Sequence, residues 1–159
     1  MPGDEQRIRL RAAEPHEASA LSDLALRSKG HWGYSQAFLA ACRAELTVTP
    51  QRCASGAVTV AVRSGRILGF HVLEGSPPDG QLAALFVDSD LIGTGVGDRL
   101  LRHALGSAGR QGFRSLALEA DPGAEGFYVR YGAVRAGEVA SGSIPGRLLP
   151  RLTFELSSP

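Results

Sequence analysis

Three alternating glycines, Gly93, Gly95 and Gly97, stand directly before a leucine-rich run in the middle of the chain. Glycine loses more conformational entropy on folding than any other residue, so three of them at one point require a reason. A strand, a glycine turn and a helix start aim several backbone N–H groups into one concavity, which predicts an anion site, commonly for phosphate. The run predicts a helix closed by Gly109 and Gly112, because its apolar residues recur at helical spacing: Val96, Leu100, Leu101, Ala104, Leu105 and Ala108.

Three interpretations of this glycine turn compete. A dinucleotide-binding fold needs G-x-G-x-x-G after an initial strand within a series of βαβ units, and neither the spacing nor the element order fits. A P-loop needs a lysine followed by serine or threonine, whereas this turn continues as Gly97-Asp98-Arg99. The third interpretation is a tight turn that binds nothing, and the turn taken alone leaves it open.

The rest of the chain predicts an α+β fold. The stretch "RIRLRAA" alternates as a strand does, a first helix is predicted over Pro15–Ser28, and a second follows the cap Ser35 and stops before Pro50. The stretches "AVTVAVR" and "ILGFHVLE" predict a hairpin that turns at Ser64-Gly65. The segments up to "AEGFYVRYG" predict a loop "SPPDG", a strand "QLAALFV" buried on both faces, the glycine turn with its helix, a strand "SLALEA", and then "AEGFYVRYG" itself as a short helix. Two last strands, "AVRAGEV" and "LTFEL", are separated by the last loop, "ASGSIPGRLLP".

Length, charge and cysteine content limit the class of protein. A chain of 159 residues fits a single domain, predicted over 7–157 behind a flexible tail of residues 1–6. The formal net charge of +1 gives no reason to expect nucleic acid or a membrane surface as partner. No apolar run approaches the roughly 20 residues of a membrane helix, and the polar start does not resemble a secretion signal. Cys42 is interpreted as core and Cys53 as a loop thiol, and their spacing is not that of a metal site, so no metal is predicted. Only two cysteines in a chain of this size indicate a reducing compartment, which predicts a cytoplasmic location.

Two motifs, in this order along the chain, resemble those of the GNAT superfamily of acetyl-CoA-dependent N-acetyltransferases. That family carries Q/R-x-x-G-x-G/A between its fourth strand and the next helix, where this chain has Gly95-Val96-Gly97. It later carries N-x-x-A-x-x-F/Y-Y and a glycine, matched here by Ala124, Phe127, Tyr128 and Gly132. The resemblance covers essentially the whole chain. It implies a mixed, mostly antiparallel sheet of about seven strands with about four helices, in the order β-α-α-β-β-β-α-β-α-β-β.

The resemblance also implies a coenzyme A site. The diphosphate is expected on the glycine turn, and the pantetheine arm is expected to pair with the end of the preceding strand. Ile92 stands where the family usually has Gln or Arg, and Asp121 where it has Asn, so side-chain contacts are expected to be weaker while the backbone amides remain. The implied residues are Leu85, Phe86 and Val87 in the strand, Ile92, Gly93, Thr94, Gly95, Val96, Gly97 and Asp98 in the turn, and Asp121, Ala124 and Phe127 later.

Acetyl transfer from a thioester to an amine requires a neutral amine, a stabilised carbonyl oxygen and a thiolate that leaves. The resemblance implies that Tyr128 is the general acid, since a phenol with a pKa near 10 can protonate a thiolate held close to it. A role in the core is the alternative for Tyr128, and Tyr131 is a second candidate acid one turn later. Glu74 and Glu119 are candidate general bases, and ordered water is the alternative route for the amine proton. His71 lies among apolar residues and is interpreted as core.

Two stretches are candidates for the acceptor site. His31, Trp32 and Tyr34 in "SKGHWGYS" offer stacking and hydrogen bonds to a ligand, although the tryptophan can equally pin this loop to the core. Arg147 in the last loop can pair with an acceptor carboxylate, or the loop can be purely structural.

The predicted function is transfer of an acetyl group from acetyl-CoA to a primary amine of a small molecule or peptide, by direct attack in a ternary complex. The alternative is a non-catalytic acyl-CoA-binding or regulatory module of the same fold. The oligomeric state stays open, and a homodimer through the terminal strands is one option.

Overall fold

The computed structural model describes residues 7–141 and 145–156. The described chain falls into two compact units, one formed by residues up to Val72 together with Ala84–His103 and the other by Leu73–Ala83 together with the residues from Ala104 on. The predicted tail, 1–6, lies outside the described residues, as do positions 142–144 of the last predicted loop. The single domain predicted over 7–157 stays a prediction.

Seven strands form a mixed sheet in the order β1-β2-β3-β4-β5-β7-β6. The β4–β5 pair is parallel, and the β1–β2, β2–β3, β5–β7 and β6–β7 pairs are antiparallel. The mixed, mostly antiparallel sheet expected from the resemblance is therefore confirmed. The strands are β1 (Arg9–Ala12), β2 (Val58–Arg63), β3 (Arg66–Ser76), β4 (Asp79–Val87), β5 (Ser115–Glu119), β6 (Val134–Ala140) and β7 (Leu148–Glu155).

The described residues contain five α-helices, one more than the sequence predicts. The additional helix is α3, and it begins with recognisable signals: the Thr49 side chain accepts a hydrogen bond from the Arg52 N–H at 3.2 Å, and Pro50 takes the first position. Short 3-10 turns precede α1, α4 and α5, at Pro15–Glu17, Ser89–Leu91 and Pro122–Ala124. The α-helices are α1 (Ala18–Gly30), α2 (Gln36–Leu46), α3 (Pro50–Ala54), α4 (Val96–Arg110) and α5 (Glu125–Arg130).

Two local predictions are confirmed in atomic detail. The Ser35 hydroxyl caps α2 by accepting a hydrogen bond from the Phe38 N–H at 3.1 Å. The hairpin between β2 and β3 turns at Ser64 and Gly65, whose φ angles of 51° and 77° are the positive values that a tight two-residue hairpin turn requires.

Two hydrophobic clusters make up the core of the first unit. One packs α1 against the sheet through Leu21, Leu24 and Phe70 among others. The second packs the start of α4 on the sheet and contains Val87 and Val96, which flank the glycine turn on both sides. Complete burial of each such side chain contributes about 1.5–3 kcal/mol to folding, so both ends of the turn are anchored by apolar packing.

Gly69 of β3 allows the end of β4 to lie unusually close. A Cβ atom at this position would stand 2.5 Å from the Phe86 carbonyl oxygen and 2.9 Å from the Leu100 Cδ1 atom. Both distances are shorter than real Cβ contacts, so a larger residue would displace the strand end that leads into the glycine turn.

The end of α4 lies in the second unit. Gly112 has φ 96°, and the Phe113 N–H donates to the Ala108 carbonyl at 3.0 Å, which closes the helix as predicted for Gly112. The prediction that Gly109 also closes the helix is wrong, because α4 continues to Arg110.

The burial predicted for β4 is wrong. Leu82 is buried but the neighbouring Ala83 is exposed, whereas β3 is the strand buried on both faces from Leu68 to Leu73. The two hydrophobic clusters account for this, because Phe70 belongs to one and Leu68 to the other.

Two boundaries and the setting of one cysteine also differ from the prediction. The "SPPDG" segment is a turn of only Pro77-Pro78, because β3 continues to Ser76 and β4 begins at Asp79. Strand β7 begins at Leu148, four residues early, because Leu148–Pro150 pair with β6. Cys53 is no loop thiol: it is buried in α3, and this burial raises the pKa of its thiol.

Candidate functional site

The glycine turn joins the 3-10 turn Ser89–Leu91 to α4. Gly93 and Gly95 have φ angles of 86° and 97°, in the region that residues with a side chain rarely adopt. A Cβ atom at either position would meet no protein atom within 4 Å, so the space beside both glycines is open. The backbone conformation itself, rather than crowding by the protein, therefore calls for glycine here.

Backbone amides at the start of α4 are available to a ligand. The Arg99 N–H donates to the Gly95 carbonyl at 3.2 Å, which begins the hydrogen-bond series of the helix. The N–H groups of Val96, Gly97 and Asp98 come before that bond, in the turn where helical N–H groups lack intrahelical partners. The helix dipole adds partial positive charge at this end, so the arrangement can bind an anion.

The side chains of the turn mostly serve the protein itself. Ile92 packs on the cluster that contains Val87 and Val96, which explains how an apolar residue is accommodated at a position where the family usually has Gln or Arg. The Thr94 hydroxyl donates to the Leu91 carbonyl, and the Thr94 N–H donates to the same oxygen at 3.2 Å. Any ligand held at this turn would therefore be bound chiefly through the backbone.

A buried carboxylate that the sequence analysis missed stands directly before the turn. Asp88 is only 6% exposed, and its oxygens accept hydrogen bonds from Arg27 at 3.0 and 2.9 Å. Arg66 donates to it at 3.4 Å and the Ser89 N–H at 2.9 Å. The Arg27 guanidinium is the main reason that the pKa of Asp88 lies below its usual value. No pattern identifies this residue, because an aspartate after a strand is common in turns.

The end of β4 carries the residues expected to pair with pantetheine. Leu85 and Val87 pack with one hydrophobic cluster and Phe86 with the other, and Leu85 and Phe86 are half-buried. The parallel ladder between β4 and β5 covers three residue pairs and ends at Gln81 and Ala117, before these residues.

Tyr128 lies near the middle of α5 and is 7% exposed. Its ring packs edge-to-face on Phe127, with 5.2 Å between ring centroids, and the Tyr131 ring also meets Phe127 edge-on at 5.4 Å. Burial raises the pKa of the Tyr128 phenol above its ordinary value, so the hydroxyl keeps its proton at neutral pH. It can therefore donate a proton or a hydrogen bond.

Asp121 and Arg147, predicted for two different ligands, lie beside each other. One Arg147 Nη atom is 3.7 Å from a carboxylate oxygen of Asp121, and both side chains are largely buried. Asp121 also accepts a hydrogen bond from the Gly123 N–H at 3.0 Å, which caps the 3-10 turn before α5. The charge introduced by aspartate in place of the usual asparagine is thus compensated within the protein.

The candidate bases differ in exposure. Glu74 is half-buried near the end of β3, and Glu119 is exposed at the end of β5. His71 is 1% exposed, as expected of a core residue, and its Nε2 atom lies 3.0 Å from Nδ1 of His103. Burial and the neighbouring His103 lower the pKa of His71 to about 3, so it stays neutral.

The residues predicted for the acceptor form an aromatic surface at the end of α1. Trp32 is 42% exposed, so it does not pin the loop to the core, and His31 meets it edge-on at 5.2 Å. Tyr34 stacks on Phe38 with 4.1 Å between ring centroids, and the Lys29 ammonium lies 5.7 Å from each of these two rings. These residues can contact a ligand that has an apolar or aromatic body.

Within the described residues, no group of three or more His, Cys, Asp or Glu side chains is placed to hold a metal ion. None of the helices described is both long enough and apolar enough to cross a membrane.

One protein-family model matches most of the chain. The family model described as "Acetyltransferase (GNAT) domain" matches residues 25–141. No match is found among curated proteins.

Solved structures of similar fold cover nearly the whole chain. A GCN5-related N-acetyltransferase from Rhodopseudomonas palustris is 24% identical, with a TM-score of 0.74 over 93% of this chain and 95% of that one. The PaiA N-acetyltransferase from Thermoplasma acidophilum, solved with coenzyme A, is 17% identical, with a TM-score of 0.75 over 94% and 99%. The ribosomal-protein-S18-alanine N-acetyltransferase from Escherichia coli is 18% identical, with a TM-score of 0.72 over 96% of each chain.

Proposed function

The chain belongs to the GNAT family of acetyltransferases, and from this premise we propose that it transfers an acetyl group from acetyl-CoA to a primary amine of a small molecule or peptide. The amine attacks directly while both substrates are bound. The observation that carries the proposal is the glycine turn, where Gly93 and Gly95 have positive φ angles and open space beside them at the start of α4.

The glycine turn binds the diphosphate of acetyl-CoA. Phosphate oxygens accept hydrogen bonds from backbone N–H groups of the turn and of the first residues of α4, among them those of Val96, Gly97 and Asp98, and the absence of Cβ atoms at the glycines lets the oxygens approach the amides directly. The Thr94 N–H is not among them, because it donates to the Leu91 carbonyl. The packing of Ile92 on the hydrophobic cluster is consistent with binding that uses the backbone rather than a Gln or Arg side chain.

The end of β4 binds the pantetheine arm. The β4–β5 ladder ends at Gln81, which supports a role for Leu85, Phe86 and Val87 in pairing with the extended arm as an added strand would. A backbone N–H of this strand end donates to the thioester oxygen and stabilises the negative charge that develops there.

The chemical step forms one C–N bond and breaks one C–S bond. The neutral amine nitrogen attacks the thioester carbonyl carbon, and the tetrahedral intermediate collapses with loss of the thiolate. The proton lost by the amine passes to water or to Glu74 or Glu119. Tyr128 gives its phenolic proton to the thiolate sulfur and is reprotonated from solvent; its burial keeps the phenol protonated at neutral pH, so a proton is present to give.

The acceptor amine is bound by the aromatic surface of His31, Trp32 and Tyr34. The exposed His31 and Trp32 and the half-buried Tyr34 fit an apolar or aromatic body beside the reacting nitrogen. Arg147 is the candidate for holding an acceptor carboxylate, in competition with its present neighbour Asp121. The Escherichia coli neighbour acts, by its name, on an alanine of a ribosomal protein, which is one example of an amine acceptor in this fold. We place the enzyme in the cytoplasm.

The test has two stages. Calorimetry of the purified chain with coenzyme A and, as control, with ATP is expected to register binding of coenzyme A and weaker or no binding of ATP. Release of free thiol from acetyl-CoA is then followed over a panel of amino acids, polyamines, aromatic amines and peptides. Turnover on at least one amine supports the enzyme. Tight binding of coenzyme A without turnover on any amine supports the non-catalytic module, and no uptake of coenzyme A refutes both.

A further inference from the structure

The middle of the glycine turn, residues 93–95, is not held in position by side-chain packing of its own. Gly93, Thr94 and Gly95 are exposed, and Cβ atoms at the two glycines would touch nothing within 4 Å. A backbone that binds a ligand must nevertheless be held in one place, because each amide contributes only if it already points at the ligand. The position of the turn therefore depends on what its flanking residues contact.

One flank contains Asp88, which connects three elements through a single carboxylate. Arg27 of α1 donates to both oxygens, at 3.0 and 2.9 Å, and Arg66 at the start of β3 donates to one of them at 3.4 Å. The Asp88 N–H also donates to the Leu68 carbonyl of β3 at 2.9 Å. Asp88 is buried whereas Arg27 and Arg66 are half-exposed, so these charged hydrogen bonds are screened less by solvent than those of a fully exposed pair.

Short-range hydrogen bonds transmit this position into the glycine turn. The Asp88 carbonyl accepts from the Leu91 N–H at 2.9 Å, and the Leu91 carbonyl accepts from the Thr94 N–H at 3.2 Å and from its hydroxyl. Gly95 is then the single residue between Thr94 and Val96, where α4 begins. A displacement of Asp88 is therefore passed through these hydrogen bonds to the backbone of the glycine turn, whose far end is held by the buried Val96.

Asp90 provides a built-in contrast. It is two residues away and binds the same Arg66, at 2.7 Å, but its side chain is 62% exposed. Exposed ion pairs contribute little to stability because water and salt screen them. The two aspartates thus share a partner and a turn but differ in burial and in the bond to Arg27.

We propose that Asp88, through Arg27 and Arg66, is a positioning residue that orients the backbone amides of the glycine turn, other than that of Thr94, toward the diphosphate of coenzyme A. This inference rests on the proposed function. Asp88 does not touch the ligand and acts only through the turn. Its loss therefore lowers the affinity for coenzyme A, which carries the diphosphate, and leaves the affinity for pantetheine, which does not, nearly unchanged.

The variant Asp88→Asn keeps the shape of the side chain and removes its charge. We expect the dissociation constant of coenzyme A, measured by calorimetry, to rise about tenfold. The affinity for pantetheine, which lacks the diphosphate and is titrated by NMR, should change less than about twofold, as should kcat at saturating acetyl-CoA. Asp90→Asn is the matched control and should leave all three quantities unchanged. Arg27→Gln should reproduce the effect from the other partner, and Arg27→Lys should restore part of it.

Two results would overturn the inference. One is a coenzyme A affinity within about twofold of the native value in both Asp88→Asn and Arg27→Gln. The other is an equal loss of affinity for coenzyme A and pantetheine, which would indicate general loosening of the fold. If Asp88→Asn fails to fold, as judged by thermal unfolding, Arg27→Gln decides alone, because its side chain is half-exposed. A native chain that takes up no coenzyme A refutes the proposed function and this inference together.

Discussion

The glycine turn before α4 and the helix α5 offer a ligand two opposite kinds of surface. The turn offers backbone amides beside exposed glycines, and almost every nearby side chain is used within the protein. Helix α5 offers one buried phenol, Tyr128, held by ring packing on Phe127. A site made of backbone is damaged by adding atoms or by loosening its supports, whereas a site made of one side chain is damaged by removing an atom. The two regions should therefore fail in different ways.

The largest effect is expected at the side-chain region. Tyr128→Phe removes one oxygen and keeps the ring packing, so kcat should fall about a hundredfold or more, because a positioned general acid contributes about that much. The dissociation constant of coenzyme A should stay within about threefold, since the diphosphate is bound elsewhere. Steady-state kinetics and calorimetry measure the two quantities. Tyr131→Phe is the control: a large loss of kcat there, with none in Tyr128→Phe, would move the acid role to Tyr131.

The backbone region should respond in affinity instead. Gly95→Ala places a Cβ at a φ of 97°, which costs about 1–2 kcal/mol of strain, and puts a methyl group where the diphosphate approaches. We expect the dissociation constant of coenzyme A to rise at least about tenfold, with the free energy of unfolding lowered only by the strain.

Gly109→Ala, within α4, is the control. A Cβ there also meets no atom within 4 Å, but the backbone is helical and accepts a side chain without strain. It should stabilise the chain by up to about 1 kcal/mol and leave binding unchanged. Native coenzyme A affinity in Gly95→Ala would show that the glycine serves the turn alone.

The two regions can be compared only at a pH where the chain is folded, and the buried His71 lowers the stability of the fold in acid. Its pKa is about 3 in the folded chain, against about 6.5 when unfolded, so below pH 6.5 the unfolded state binds a proton that the folded state does not. The free energy of unfolding should therefore fall with decreasing pH, by up to about 1.4 kcal/mol per pH unit between these values.

Denaturant unfolding at several pH values checks this slope. His71→Leu should flatten the slope below pH 6.5. An unchanged slope in His71→Leu would assign the acid sensitivity to other groups.

The smallest effect is expected at the aromatic surface, which neither region includes. Trp32→Ala should raise KM for the best acceptor about three- to fivefold and leave coenzyme A affinity unchanged, because Trp32 contributes stacking area from an exposed position. Trp32→Phe keeps an aromatic face and should lose less. Equal KM values in all three proteins would remove Trp32 from the acceptor site.

Local features of both regions could be predicted from the sequence. The glycines predict the turn because they tolerate positive φ, and the spacing of the apolar residues predicts α4. Neither prediction depends on the residues that surround these segments in the fold. The errors arose where the outcome depended on neighbours. "QLAALFV" has the apolar composition of a buried strand, but burial on both faces fell to β3, which the two clusters cover.

The sequence by itself determined the order of the strands and of four of the five helices described, the glycine turn at the head of α4, and the motifs that resemble those of the family, because conformational preference and periodicity are properties of neighbouring residues. Only the tertiary structure decided that Asp88 binds Arg27, 61 positions away, and that His71 meets His103, 32 positions away. It likewise brought Arg147 beside Asp121. Such partners are selected by packing between distant segments, and the residue types alone do not identify them.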